Sequence, residues 1–150
     1  MISESGIILI IEDSEEDFQT VKRLLGKITG RTVGRCADAP SALHYLEHIG
    51  DMPNGHACPR PDVILLDLNM PGEDGRKLLV RLKADVRIRR IPVIILTTSA
   101  NPKDVEFCYD NGAAGFIVKP VDLPRFRASL EKFAEYWLHA VLLPNAGARQ

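Results

Sequence analysis

Two hydrophobic periodicities alternate along this chain. Ile-Ile-Leu-Ile-Ile at 7–11 is an unbroken run rich in β-branched residues, as expected of a strand buried on both faces. Ser14-Glu-Glu-Asp17 then reads as a capping box opening a helix, with Phe18, Val21, Leu25 and Ile28 on one face. Gly30 and Thr32-Val33 mark a stop and a weak second strand. Asp38 caps a second helix with Ala42, Tyr45, Leu46 and Ile49 along one side, and residues 50–61, rich in Pro, Gly and Asn, form a long loop. Residues 63–66 make a third strand, followed by a helix through Leu78, Leu79 and Leu82. Residues 93–96 make a fourth strand, followed by a helix from about Lys103 to Asn111 that stops at Gly112. Residues 116–118 make a fifth. A last helix starts near Leu123 and carries Phe126, Leu130, Phe133, Trp137 and Val141 in one stripe.

Five strands alternating with five helices imply an α/β fold, a parallel sheet with helices on both faces. Right-handed crossovers make such a sheet open and doubly wound, and its working site lies beyond the carboxyl ends of the strands.

Composition narrows this little. At 150 residues, 45% hydrophobic and 26% charged, the chain has ordinary globular values, and a net charge of −1 gives no pull toward nucleic acid or an anionic membrane. Cys36, Cys58 and Cys108 are odd in number and form no Cys-x-x-Cys pair, which fits a reducing cytoplasm. The N-terminus has no basic residue before a five-residue apolar run, so it reads as neither signal peptide nor membrane span.

The chemistry gathers at the strand ends. The first strand exits into Glu12-Asp13, the third into Asp67, the fourth into Thr97-Thr98-Ser99 and the fifth into Lys119-Pro120. Like-charged carboxylates at ~4 Å repel by about 4 kcal/mol at an effective dielectric of 20, so protons or a hard cation must offset them. Oxygen ligands of this type suit Mg²⁺ (or Mn²⁺). Each acid taken alone could merely cap the helix that follows it; the set is harder to explain that way.

These residues resemble the receiver domain of two-component response regulators. The resemblance covers about residues 6–140 and rests on Glu12-Asp13, Asp67 in Asp-Leu-Asn-Met-Pro-Gly, Thr97, Phe116 and Lys119-Pro120. It implies a flavodoxin-like sheet of order 2-1-3-4-5 and a phosphoacceptor, Asp67, charged by a sensor histidine kinase. It implies Mg²⁺ held by Glu12, Asp13, Asp67 and the backbone carbonyl of Asn69. Lys119 and Thr97 would hold phosphoryl oxygens, Phe116 would swing inward with Thr97, and the bond before Pro120 would be cis. Thr98 and Ser99 would be secondary neighbours, and β-branched Thr98 could narrow access to the phosphoryl group. The long loop and the ending Phe-Ala-Glu-Tyr-Trp-Leu-His-Ala-Val-Leu-Leu-Pro resemble regulators paired with bacterial phytochrome kinases. The implied protein is a single cytoplasmic receiver over 6–143 with a tail at 144–150 and no output domain. It assists its own phosphotransfer and dephosphorylation without being an enzyme on external substrates.

Other readings compete. His44, Glu47 and His48 match a zinc-peptidase pattern, with His56 and Cys58 nearby, but they point away from the apolar stripe and read as a solvated face. Seven basic residues between Arg76 and Arg90 lack the interleaved aromatics of a nucleic-acid surface. An aspartyl-phosphate hydrolase needs a second Asp where Asn69 stands. An unphosphorylated interaction module with the same fold remains the alternative of another class. Finally, the stripe through Phe133, Trp137 and Val141, widened by Leu138, Leu142 and Leu143, exceeds what one sheet needs. With an exposed Phe107, it predicts a homodimer in which the C-terminal segment crosses to the second copy.

Overall fold

Each aliphatic run becomes a strand because alternate side chains enter two separate cores. The computed structural model describes residues 6–50, 58–70, 72 and 74–144. Strands β1 (Ile7–Ile11), β2 (Thr32–Cys36), β3 (Val63–Leu66), β4 (Val93–Thr97) and β5 (Gly115–Val118) form one parallel sheet in the order β2-β1-β3-β4-β5. Between them run α1 (Glu15–Ile28), α2 (Ala39–Glu47), α3 (Gly75–Ala84) and α4 (Pro102–Asp110), and α5 (Leu123–Ala134) follows β5. Leu9, Ile11, Ile64, Leu66, Val93 and Ile95 pack with Ala42, Leu46, Leu78, Leu82 and Cys108 beneath α2, α3 and α4. Ile8, Ile10, Val63, Leu65, Ile94 and Leu96 pack on the other face with Phe18, Val21, Leu25, Phe126 and Leu130 of α1 and α5. The period of two along each strand thus fills both layers. β2 is the least buried of the first four strands because it lies at the edge.

Every helix opens on a short polar cap. The side chains of Ser14, Asp38, Asp74, Asn101 and Asp122 accept backbone N–H groups in the first turns of α1 to α5. The chain leaves β1 toward β2 on one side, and β3 lies on the other, so a crevice opens beyond the carboxyl ends of β1 and β3. Among the described residues no helix is long and apolar enough to cross a membrane.

The C-terminal stripe departs from expectation. α5 ends at Ala134 and continues as a π-helical turn, Glu135–Ala140, in which the Val141 N–H donates to the Tyr136 carbonyl. The wider turn adds a residue, and the inward position passes from Trp137 to Leu138, which is 1% exposed. Leu138 and Leu143 join the α1/α5 core, and burial of one such leucine favours this docking by about 1.5–3 kcal/mol. Arg31, beside its buried partner Asp62, donates from Nη2 to the Leu138 carbonyl at 3.1 Å. Residues 135–144 therefore pack on their own domain. Of the expected interface residues, Phe133 is buried in the core (3% exposed), Trp137 and Val141 are half-buried, and Phe107 and Leu142 are exposed.

Candidate functional site

The sheet ladder itself fixes the acids. The Glu12 N–H donates to the Cys36 carbonyl at 3.0 Å, and the Asp67 N–H donates to the Ile11 carbonyl at 3.1 Å. Both carboxylates are therefore held one residue beyond a strand end. Glu12 and Asp67 are buried, and Asp13 is the most open of the three. One ligand oxygen from each of Glu12, Asp13 and Asp67 falls within 4.8 Å of the others. The Asn69 N–H donates to Asp67 Oδ1 at 3.1 Å, which orients that carboxylate.

Lys119 offsets part of this charge. Its N–H donates to the Thr97 carbonyl at 2.7 Å, which continues the β4–β5 ladder beyond Val118. Its ammonium reaches Glu12 at 2.5 Å, Asp17 at 3.1 Å and Asp67 at 3.4 Å. Burial alone would lower the Lys119 pKa, but Glu12 and Asp67 outweigh it and raise it. Burial pushes Glu12 up to about 7; Asp67 adds to the rise and Lys119 opposes it. The expected cis bond is not found: Lys119–Pro120 is trans, as are all bonds among the described residues. The ladder bond sets the Lys119 backbone and its long side chain spans the distance to the acids, so the ammonium arrives without a cis bond.

Thr97 is fully buried at the end of β4, and its hydroxyl oxygen accepts from the Asn69 side-chain amide at 3.2 Å. Asn69 thus touches both Asp67 and Thr97, a role beyond its backbone carbonyl. Phe116 is half-buried and packs against the α2/α3/α4 core, while Thr98 is exposed and Pro120 half-buried. Ser99 turns away from the acids: its hydroxyl donates to Asp104 at 2.7 Å. Asp104 also binds Arg76, which bridges to Asp74, so the loops after β3 and β4 are tied together.

Three site residues escaped the sequence reading. Asp17 reads in sequence as part of a cap, yet it holds Lys119; its place four residues beyond Asp13 at the start of α1 sets it one turn above the acids. Arg35 donates to the carbonyls of Glu12 and Asp13 at 3.0 and 2.9 Å and pairs with Glu15. Arg76, one of the seven basic residues of that stretch, pairs with Asp74 and Asp104.

Among the described residues the zinc-like pattern gathers no metal site. His44 and Glu47 are exposed on α2, and His48 Nδ1 lies 2.7 Å from the His44 carbonyl. Among the described residues neither histidine joins Cys58 in a metal-sized group, and His56 lies outside the described residues.

The sequence matches the response regulator receiver domain over residues 8–131. It is 35% identical over 141 residues to Response regulator Rcp1 of Synechocystis sp. (strain ATCC 27184 / PCC 6803 / Kazusa), covering 93% of this chain and 94% of that one. The crystal structure of the Mn²⁺-bound form of Rcp1 superposes with a TM-score of 0.82 at 34% identity, covering 93% of this chain and 99% of that one. The phosphorylated cyanobacterial phytochrome response regulator RcpA superposes at 0.84 and 33%, with the same coverage. A receiver domain of a sensor histidine kinase from Pseudomonas aeruginosa PAO1, with magnesium in its active site cleft, superposes at 0.71 and 27%, covering 91% of this chain and 99% of that one.

Proposed function

The chain belongs to the response regulator receiver family, and from that premise we propose that Asp67 accepts a phosphoryl group from a sensor histidine kinase. The observation that carries this reading is the convergence of Glu12, Asp13 and Asp67 within 4.8 Å, with the Lys119 ammonium 3.4 Å from Asp67. An Asp67 carboxylate oxygen attacks phosphorus, the P–O bond forms as the P–N bond to the kinase imidazole breaks, and the imidazole keeps the electron pair. Positioning and charge stabilisation do most of this work.

The donor set fits a hard divalent cation. It consists of oxygens only, and one ammonium faces several carboxylates. Glu12, Asp13, Asp67 and the Asn69 carbonyl would hold Mg²⁺ or Mn²⁺, which when bound screens the charge on the transferring phosphoryl group. Lys119 stabilises one phosphoryl oxygen. Thr97 turns its hydroxyl from Asn69 to another, and Phe116 follows into the space beside it. The resulting change on the face of α4, β5 and α5 is read by a downstream protein.

The phytochrome response regulator RcpA among the similar structures supports a bacteriophytochrome as the kinase. Exposed Phe107, Tyr109, Val118, Tyr136 and Leu142 support pairing with a second copy through the α4, β5 and α5 face. The deciding experiment is intact mass spectrometry after incubation with Mg²⁺ and acetyl phosphate. Wild type gains one phosphoryl group, while Asp67→Asn or chelated protein gains none. Phosphorylation of Asp67→Asn to the wild-type extent would overturn the assignment.

A further inference from the structure

Resting on the proposed phosphoacceptor site, we propose that Asp17 is a positioning residue. It competes with the phosphoryl group for the Lys119 ammonium and so sets how tightly the site holds a phosphoryl ligand. An ammonium has three donors. In this structure its carboxylate neighbours are Glu12 at 2.5 Å, Asp17 at 3.1 Å and Asp67 at 3.4 Å. The longest of these contacts is to Asp67, so the ammonium sits nearer to Glu12 and Asp17 than to the acceptor.

Asp17 differs in kind from the other two partners. Glu12 and Asp67 belong to the group of oxygens able to hold a metal ion, and Asp17 does not. Glu12 and Asp67, if drawn to a cation, would loosen their hold on Lys119, whereas Asp17 would keep its contact. The side chains differ in exposure too: 47% for Asp17 against 4% for Glu12 and 10% for Asp67. A half-exposed ion pair is worth little, so a phosphoryl oxygen can win the ammonium from it, but at a cost set by that pair. The backbone gives Asp17 its place independently, because its N–H donates to the capping Ser14 hydroxyl at 3.2 Å. Asp17→Asn keeps that N–H and removes only the charge.

The test is binding of beryllium trifluoride, a non-covalent phosphoryl mimic, in saturating Mg²⁺, measured by calorimetry. It is run on wild type, Asp17→Asn, Lys119→Met and the double variant, with Lys119→Gln replacing Lys119→Met should the latter not fold. Asp17→Asn should bind about two- to fivefold more tightly than wild type, the range of one exposed ion pair. In the Lys119 variant background the same change should have no effect, because Asp17 acts through that ammonium. Equal tightening in both backgrounds would mean that Asp17 acts by bulk charge, and unchanged or weaker binding in Asp17→Asn would mean it does not compete; either overturns the proposal while leaving Asp67 as acceptor. A wild type that binds no beryllium trifluoride would overturn the acceptor reading itself, and this inference with it.

Discussion

Among the described glycines Gly75 has the least room for a side chain, and a single methyl there tests the frame around Asp67. It is the first residue of α3, and its N–H donates to the Leu68 carbonyl at 3.1 Å, closing the loop after β3. A Cβ at this position would lie 2.5 Å from the Asp67 carbonyl oxygen and 2.7 Å from Leu68 Cα. Both are backbone atoms, so no rotamer change relieves the clash. Ordinary contact begins at 3.4 Å, so the loop must open by about 0.9 Å, the difference between 3.4 and 2.5 Å. Overpacking of this kind costs about 1–3 kcal/mol, offset in part by the helix preference of Ala over Gly, which is up to ~1 kcal/mol. The net loss of up to about 2 kcal/mol lowers the melting temperature of Gly75→Ala by as much as roughly 4–8 °C. A displacement near 1 Å at a reacting group costs about 100-fold in rate, so acetyl phosphate should label the variant far more slowly than wild type. Gly26→Ala is the control. It lies inside α1 with nothing within 4 Å of its Cβ, so the same substitution should raise the melting temperature by roughly 2–4 °C. The reasoning fails if Gly75→Ala melts and is phosphorylated like wild type.

Three further outcomes are expected. Thr97→Ala loses the hydroxyl that now accepts from Asn69, so mass spectrometry should still find phosphorylation while the phosphorylation-linked change in partner or dimer binding falls; an undiminished change would refute the coupling. In metal-free protein the Glu12 carboxyl should titrate near pH 7 by carbon NMR, against an ordinary value of 4.5. Because the fold raises this pKa, its contribution to stability is present at low pH and drains away between about pH 4.5 and pH 7, where the unfolded chain gives up the proton first; a midpoint below 5 would contradict it. Sedimentation should show wild type self-associating at tens of micromolar and Tyr109→Ser with Leu142→Asp shifted to monomer; a wild type that stays monomeric with and without phosphate removes the dimer.

Much of this molecule is legible in its sequence because strand and helix periods are local. The runs at Ile7–Ile11 and Val63–Leu66, the caps Ser14 and Asp38, and the acids at the strand ends all lie where their neighbours along the chain put them. What escaped depends on distant pieces meeting. Arg35 grips the carbonyls of Glu12 and Asp13 only because edge strand β2 pairs in register with β1, placing Arg35 opposite Ile10. Arg76 and Asp104 meet only because α3 and α4 begin at the same edge of the sheet. The widened turn after α5 has no compositional mark, since its residues would serve equally well in an α-helix.

That widened turn makes the tail's position a matter of phase. In an α-helix each residue turns the next by about 100°. Winding Glu135–Ala140 as an α-helix with every residue kept would rotate everything beyond by that angle relative to the sheet. Leu138 would leave its socket, its carbonyl would swing off Arg31, and an aromatic ring would be offered to the aliphatic floor instead. The composition would barely change, yet a different side of the tail would face the domain. Inserting one alanine after Ala134 imposes a shift of this size, and an unaltered melting temperature in that variant would show that the sheet accepts more than one phase. Otherwise the length of this segment, more than its hydrophobicity, decides which of its residues the outside world meets.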